Sequence, residues 1–228
     1  KVLITGASGG IGGALVKKFL SLNAKVLGTG TNEEKLKNLK NKFDKITTKK
    51  FDISNHSLIE KFIEEANEEL GGLDVLINNA GTSGPARDQQ TTFAMDFEGW
   101  ADAFNINSMA PVRLMQALLP NLRLSSAAKV MTVTSQMGAL SLDMPAAHAY
   151  CATKAAVNKF MRLAALDLKK ENIAVGLVHP GWVKTDMGGP HAELTPEESA
   201  AGCASVTDSL SMDSTGGFWK WNGEVHGW

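Results

Sequence analysis

Eight residues near the start of the chain, 5–12, read TGASGGIG and lie directly between a β-rich run and an amphipathic segment of helix length. A glycine cluster alone is also found in ordinary turns, but a strand before it and a helix after it favour a turn whose backbone N–H groups face an anion. Here Gly6 permits a tight turn, Gly10 lets the backbone approach a pyrophosphate, and Gly12 allows close helix packing. The predicted nucleotide-binding residues of this turn are Gly6, Ser8, Gly9, Gly10, Ile11 and Gly12.

The alternation of β-rich runs and amphipathic segments continues along the whole chain. It predicts parallel strands joined by helical crossovers. We therefore expect one domain over residues 1–228, an α/β Rossmann fold with a doubly wound parallel sheet of about seven strands flanked by helices. The predicted strands cover residues 1–5, 25–29, 46–51, 75–78, 129–134, 174–178 and 217–221. The longest irregular stretches, 82–90, 136–147 and 187–194, follow strands or their first turns and are expected at the carboxyl edge, where such sheets bind ligands.

Composition narrows the class of partner. The 228 residues carry a formal net charge of −1, so a broad basic field for nucleic acid is not expected. No apolar run approaches the length that spans a membrane. The two cysteines, Cys151 and Cys203, are far apart and the five histidines show no ligand spacing, which predicts neither a disulfide nor a metal site. We expect a cytoplasmic protein with a small-molecule partner, without metal, nucleic acid or membrane.

The end of the second predicted strand bears on the choice of nucleotide. It reads GTGTN over residues 28–32 and holds no carboxylate, whereas NAD-specific sites place an acid about 20 residues after the glycine turn to bind the ribose hydroxyl. Without that acid, Thr31 and Asn32 are free to bind a 2′-phosphate, which predicts NADP(H) in preference to NAD(H). The alternative is a turn chosen for its conformation alone.

Two further strand ends carry predicted cofactor contacts. Asp52 and Ile53 follow the third strand, where Asp52 is placed to accept a hydrogen bond from an adenine amino group or, alternatively, to cap the next helix. After the fourth strand, the small residues Ala80 and Gly81 let a cofactor ribose lie against the chain. Asn79 beside them has either a binding role or a structural one that ties adjacent strands.

Tyr150 and Lys154, four residues apart, share one face if this segment is helical. A tyrosine with an ordinary pKa of about 10 is a poor base at neutral pH. A lysine ammonium and an oxidised nicotinamide beside it would lower the pKa toward the working range. The same spacing is frequent by accident on surface helices, so the catalytic interpretation depends on Ser135 upstream and on the glycine turn.

Taken in order, the glycine turn, the sequence NNAG at residues 78–81, Ser135 and Tyr150-x-x-x-Lys154 resemble the short-chain dehydrogenase/reductase family along nearly the whole chain. Residues 104–111, 179–189 and 221–228 resemble the C-factor and sniffer-type carbonyl reductases. The first half is similar to 3-oxoacyl carrier-protein reductases.

The resemblance implies a role for each catalytic residue. Ser135 would hydrogen-bond the substrate carbonyl, Tyr150 would protonate it, and Lys154 would bind the nicotinamide ribose and lower the pKa of Tyr150. Asn107 matches the family residue that holds a water between the lysine and solvent, with repair of a helix irregularity as its alternative role.

The resemblance also implies a loop that borders the nicotinamide and its phosphates, through Pro180, Gly181, Val183 and Thr185. Trp182 and Met187 are the candidate substrate contacts. A homodimer or homotetramer is expected from the family alone.

These features predict an NADPH-dependent carbonyl reductase that acts on a small ketone or aldehyde with Tyr150 as general acid. A 3-oxoacyl carrier-protein reductase is the alternative, although residues 188–195 contain no Lys or Arg for an acidic carrier domain. A third hypothesis, of another class, is a C-factor-like signalling or NADP-binding module.

Overall fold

The computed structural model describes residues 1–143 and 146–228. Within them, the strands are β1 (Val2–Ile4), β2 (Val26–Gly30), β3 (Thr47–Lys50), β4 (Val75–Asn78), β5 (Ala128–Val133), β6 (Ile173–His179) and β7 (Phe218–Lys220). They form one parallel sheet in the order β3-β2-β1-β4-β5-β6-β7. The predicted α/β class and doubly wound parallel sheet are confirmed.

Helices cover both faces of the sheet. They are α1 (Gly10–Ser21), α2 (Glu33–Lys42), α3 (Ile59–Leu70), α4 (Phe97–Phe104), α5 (Ala110–Ala117), α6 (Leu119–Leu122), α7 (His148–Leu168) and α8 (Pro196–Ser209). No helix in the described ranges is both long enough and apolar enough to cross a membrane.

The two faces of the sheet bury separate hydrophobic clusters because side chains alternate along a strand. On β1, Leu3 belongs to one cluster, which contains residues of α3, α5 and α7. Its neighbours Val2 and Ile4 belong to the other, which contains residues of α1 and α8. Burial on both faces explains why β1, β5 and β6 are predominantly apolar, whereas the edge-proximal β3 reads TTKK and is only partly buried.

The strand order reverses at β1, because β2 lies on one side of it and β4 on the other. Val2 pairs with Val26 of β2 on one side and with Val75 of β4 on the other. The chain therefore leaves β1 in one direction and returns to its opposite side, which opens a crevice at the carboxyl ends of the strands.

Several irregular features lie between the predicted elements. A π-helical segment, Asn105–Met109, joins α4 to α5. The predicted irregular stretches 82–90 and 136–147 contain the 3₁₀ turns Arg87–Gln89 and Gln136–Gly138. Residues 144 and 145 of the second stretch lie outside the described residues.

Candidate active site

A cleft of about 430 Å³ opens at the carboxyl edge of the sheet. The glycine turn, the ends of β2 and β3, and the segments after β4 and β6 line it together with α7. The predicted residues that line it are Gly6, Ser8, Gly9, Gly10, Ile11, Gly12, Thr31, Asp52, Ile53, Asn79, Ala80, Gly81, Tyr150, Lys154, Pro180, Thr185 and Met187. The predicted residues outside this lining are Asn32, Asn107, Ser135, Gly181, Trp182 and Val183.

The glycine turn has the shape of an anion cradle. Gly6 has a φ of +63°, and a side chain there would come within 2.9 Å of the Cα of Ala80. A side chain at Gly12 would overlap the Gly6 carbonyl oxygen. Helix α1 begins after Gly9 with no side-chain cap and no acid in its first turn, so its positive end is open to a phosphate. The residues present therefore fit the nucleotide that the sequence predicts.

Thr5 connects this turn to β4. Its Oγ1 accepts hydrogen bonds from the backbone N–H groups of Asn79 and Ala80, at 3.0 and 3.1 Å. The side-chain amide of Asn79 in turn donates to the Thr5 carbonyl at 2.9 Å. Asn79 thus has the strand-tying geometry of its structural alternative while it also lines the cleft. Thr5 was not among the predicted residues; the sequence feature that could have indicated it is a hydroxyl side chain directly after an otherwise apolar strand.

The end of β2 separates the two residues predicted for the 2′-phosphate. Thr31 is exposed and lines the cleft. Asn32 caps α2 instead, and its Oδ1 accepts a hydrogen bond from the Lys35 N–H at 2.9 Å. Because capping occupies that oxygen and the side chain lies outside the lining, only Thr31 has the predicted position.

Asn55 caps the 3₁₀ turn that precedes α3, so the alternative role of helix cap is not taken by Asp52. Asp52 lines the cleft, and its Oδ1 accepts hydrogen bonds from the Ser54 N–H at 2.9 Å and the Ser54 hydroxyl at 2.6 Å. The turn fixes the carboxylate at the mouth of the cleft. Phe51, which sequence analysis missed, also lines the cleft and stacks on Phe62 with the ring centroids 4.0 Å apart.

Helix α7 brings Tyr150 and Lys154 to the cleft on one face. Lys154 is buried, its Nζ lies 5.7 Å from the centre of the Tyr150 ring, and it donates to the Val133 carbonyl at 3.2 Å. Burial lowers the pKa of Lys154 to about 8. The lysine is therefore held by a neutral acceptor, and its side chain lines the cleft.

The phenol of Tyr150 is protonated in this environment. Burial raises the pKa of Tyr150 to about 12, and a hydrogen bond with Ser135 opposes the shift without reversing it. The lowering of this pKa by Lys154 that the sequence predicted is not found in the protein alone. A protonated phenol is the form that a proton donor needs.

The segment after β5 holds Ser135 next to α7. Ser135 is buried, and its Oγ accepts a hydrogen bond from the Met137 N–H at 3.1 Å. Gly138 follows, and a Cβ there would lie 2.7 Å from the carbonyl carbon of Lys154. Only glycine permits this close approach, which keeps the serine hydroxyl beside the tyrosine.

Asn107 lies in the π-helical segment and is fully engaged with protein. Its Oδ1 accepts from the Thr82 N–H at 2.9 Å, and its Nδ2 donates to the Thr82 carbonyl at 2.9 Å and to the Thr153 hydroxyl at 3.0 Å. Both amide hydrogens are thus used to join the segment after β4 to α7. This is the structural role left open by the sequence, and π-helical irregularities of this kind often occur at functional sites.

The loop between β6 and α8 folds back onto the glycine turn. A Cβ at Gly10 would lie 2.6 Å from the Thr185 methyl group. Val183 is buried and bridges to Leu194, and Gly181 adopts a φ of +84°, so both shape the loop rather than line the cleft. Trp182 is half exposed, and its indole donates to the Gly188 carbonyl at 2.8 Å.

Further lining residues were not predicted, because each lies only one or two positions from a predicted residue and has no motif of its own. They are Gly30, Phe51, Thr82, Ile106, Val133, Thr134 and Asp186. Within residues 1–143 and 146–228, no three His, Cys, Asp or Glu side chains group as metal ligands.

Residues 1–194 match the family model described as short chain dehydrogenase. The chain belongs to the short-chain dehydrogenase family. The resemblance inferred from the glycine turn, Ser135, Tyr150 and Lys154 is confirmed at the level of the family, and so is the prediction of an oxidoreductase that acts on carbonyl or hydroxyl groups.

Two of the curated relatives are named for different functions, one as a signal and one as a reductase. C-signal of Myxococcus xanthus is 40% identical over 159 residues, which covers 69% of this chain and 94% of the relative. The 3-oxoacyl-[acyl-carrier-protein] reductase FabG of Haemophilus influenzae is 30% identical over 204 residues, which covers 89% of this chain and 80% of the relative.

Solved structures of short-chain dehydrogenases match over the whole chain. The carbonyl reductase Sniffer of D. melanogaster has a TM-score of 0.92 at 28% identity and covers 100% of this chain and 99% of its own. The NADPH-bound carbonyl reductase from chicken fatty liver has a TM-score of 0.89 at 29% identity and covers 100% and 98%.

Proposed function

We propose that this short-chain dehydrogenase is an NADPH-dependent carbonyl reductase that reduces a small apolar ketone or aldehyde. The observation that carries the proposal is the position of a protonated Tyr150, next to Ser135 and buried Lys154, at a cleft that the glycine turn lines at its other end. A carbonyl held at the tyrosine would meet two hydroxyl donors.

The chemistry divides between the cofactor and the chain. When bound, the reduced nicotinamide would supply the hydride that reaches the carbonyl carbon. Tyr150 donates its phenolic proton to the carbonyl oxygen, and the Ser135 hydroxyl stabilises the negative charge that develops there. Lys154 holds the nicotinamide ribose, and as an ammonium it favours the phenolate left after proton donation.

The preference for NADP(H) rests on the end of β2. Thr31 lines the cleft there, and residues 28–32 offer no carboxylate to repel a 2′-phosphate. The likeness to an NADPH-bound carbonyl reductase supports the same cofactor.

The apolar substrate class rests on exposed side chains in the segments that follow the strands at the carboxyl edge, of which Met187 lines the cleft. The segments after β4, β5 and β6 each expose large apolar side chains, namely Phe93, Phe97, Leu140, Leu142, Trp182 and Met187. An apolar substrate would cover part of this surface on binding. An acidic carrier domain would find no cationic side chain of Lys or Arg to bind in residues 188–195.

The test is turnover with NADPH over a panel of aryl and alkyl carbonyls, in the wild type and in Tyr150→Phe. The variant keeps the ring and its packing but loses the proton, so we expect turnover to fall by roughly 10²–10⁴-fold. NADP⁺ affinity, measured by calorimetry, should stay within about twofold because the ring does not supply the phosphate contacts. Near-normal turnover by Tyr150→Phe would refute this role.

A signalling or NADP-binding module is the second candidate, and the likeness to C-signal favours it. If the chain is such a module, the wild type will bind NADP⁺ but will not turn over any carbonyl of the panel. That result would replace the reductase proposal.

A cytoplasmic homodimer or homotetramer, built from one domain over residues 1–228, stays a proposal. Helix α7 exposes Phe160, Leu163 and Leu166 on the protein surface, which supports an apolar interface between copies. Light scattering of the purified protein tests it, and a monomer at all concentrations would contradict it.

A further inference from the structure

Helix α7 carries Tyr150 in its first turn, but the residue before the helix has no side chain that can cap it. Ala147 precedes α7 in the left-handed region, with a φ of +55°. The Cys151 N–H bonds the Ala147 carbonyl at 2.9 Å. The N–H groups of the three residues before Cys151 have no partner within the helix, as at any helix start, so their acceptors must come from elsewhere.

Gln90 supplies two of these acceptors from the segment after β4. Its backbone carbonyl accepts a hydrogen bond from the His148 N–H at 3.2 Å. Its side-chain Oε1 accepts one from the Tyr150 N–H at 3.0 Å. The imidazole Nδ1 of His148 also donates to the Gln90 carbonyl, at 2.7 Å. Gln90 therefore caps α7 from a position 60 residues earlier in the sequence than the tyrosine.

The amide nitrogen of Gln90 is anchored in its own segment. Nε2 donates to the Ser83 carbonyl at 3.0 Å and to the Pro85 carbonyl. The oxygen and the nitrogen of the amide thus both have protein partners, which fixes its orientation. Because Gln90 is only 1% exposed, water cannot readily replace these partners. The side chain therefore ties the start of α7 to the stretch that follows Thr82 at the cleft.

We propose that Gln90 is a positioning residue for Tyr150, which holds the first turn of α7 against the segment after β4 so that the phenol stays beside Ser135. Gln90 lies outside the cleft lining, so it acts through the backbone of the tyrosine and not on the substrate. This role rests on the proposed function, because it serves the proton donor of the carbonyl reduction. Loss of the cap would let the first turn of the helix shift and move the ring with it.

Turnover of Gln90→Met tests the effect on the reaction. The substitution keeps the length of the side chain and removes its hydrogen bonds. We expect kcat to fall by roughly 10–100-fold, since a displacement of about 1 Å near the reacting groups can cost about 10²-fold. NADP⁺ affinity should stay within about twofold, because the glycine turn is untouched. Asp96→Ala is the matched control, because it removes the cap of α4, a bond from the Gly99 N–H at 2.9 Å, and leaves the contact with Tyr150 in place.

The position of the ring can be observed without any reaction, because Tyr150 is the only tyrosine of the chain. Protein labelled with fluorotyrosine gives a fluorine NMR resonance that reports the surroundings of this ring alone. We expect Gln90→Met to move or split the resonance and Asp96→Ala to leave it unchanged. A loss of stability alone would not alter the resonance of the folded protein. An unchanged resonance in Gln90→Met would therefore overturn the positioning role, whether or not turnover falls.

Gln90→Glu provides a second test if Gln90→Met does not fold. Glutamate keeps an oxygen for the Tyr150 N–H, but as a carboxylate it has no hydrogen for the two carbonyls that the amide bonds. Burial against carbonyl oxygens raises the pKa of such a carboxyl, and its protonated form can donate as the amide does. Its charged or titratable neighbours Arg87, Asp88 and His148 are the same in the wild type, so comparison with the wild type at each pH isolates the new carboxyl.

For Gln90→Glu we therefore expect a fluorine resonance that is displaced at about pH 8 and returns toward the wild-type position at about pH 6, with kcat recovering in parallel. A resonance at the wild-type position throughout this range would contradict the role of Gln90. The resonance also separates this role from the proposed activity. Displacement in the Gln90 variants, together with a wild type that turns over no carbonyl, would refute the reductase and keep the positioning of Tyr150.

Discussion

Two neighbouring glycines of α1 should respond to alanine in opposite directions. At Gly12, an added Cβ would overlap the Gly6 carbonyl oxygen and lie 2.9 Å from the Asn79 side-chain nitrogen. At Gly13, it would meet only the Ala7 carbonyl at 3.6 Å and a Leu39 methyl at 3.9 Å, which are ordinary contacts. Neither glycine has a positive φ, so the two substitutions differ in space and not in backbone strain.

The difference in stability can be estimated from these contacts. Alanine gains up to about 1 kcal/mol over glycine within a helix. Gly13→Ala should keep most of this gain. At Gly12 the contact is with backbone, which cannot rotate away, and overpacking costs about 1–3 kcal/mol or more. We therefore expect Gly12→Ala to lose about 2 kcal/mol of the free energy of unfolding and Gly13→Ala to gain about 0.5–1 kcal/mol.

Urea unfolding and thermal melting of the two variants measure this difference. At about 2–4 °C per kcal/mol for a chain of this size, the melting temperature should fall by about 4–8 °C in Gly12→Ala and rise by a few degrees in Gly13→Ala. NADP⁺ affinity should fall only in Gly12→Ala, because the Gly6 turn must shift. Equal melting temperatures of the two variants would refute the reasoning.

Two other predictions concern the catalytic end of the cleft. The pKa of Lys154 is about 8 when folded and 10.5 ordinarily, so between these pH values the unfolded chain binds a proton that the folded chain does not. The free energy of unfolding of the wild type should therefore rise by up to about 3 kcal/mol relative to that of Lys154→Met as pH rises through this window. Urea unfolding at both ends of the window measures the difference, and the titration of Tyr150 is common to both proteins. A difference that does not change with pH would contradict the burial of the lysine. Asn107→Ala should cost about 3 kcal/mol in denaturant unfolding, because it leaves the N–H and carbonyl of Thr82 without partners; a loss of turnover at unchanged stability would instead favour the water-holding role.

The fold could be predicted because its determinants are local. Glycine turns, amphipathic periods and buried apolar runs each lie within a few residues, and all seven predicted strands overlap observed ones. The π-helical segment at Asn105–Met109 was not predictable in the same way. It depends on Asn107 reaching Thr82 and Thr153, which are 25 and 46 residues away.

The residues of the candidate site could be predicted where a sequence motif identifies them, but not where helix capping or loop packing determines the position of the side chain. The glycine turn and Tyr150 line the cleft as expected. Asn32 was misplaced because capping of α2 competes for its side chain, and capping is invisible until the helix start is known. Asp186 was missed because its place at the cleft depends on how the loop after β6 folds back onto Gly10.

The central position of β1 has a consequence for how the chain acquires its binding turn. Val2 pairs with Val75, and the Thr5 hydroxyl bonds Asn79 at a separation of 74 residues. Contacts of such separation form slowly because a long loop must close first. During synthesis the Gly6 turn therefore stays without its β4 support until the roughly 70 residues that follow it have also left the ribosome, which takes several seconds at about 5–20 residues per second. Nucleotide can stabilise the folding chain only after that docking, and a fragment that ends before β4 would expose one edge of β1 to pairing with other chains.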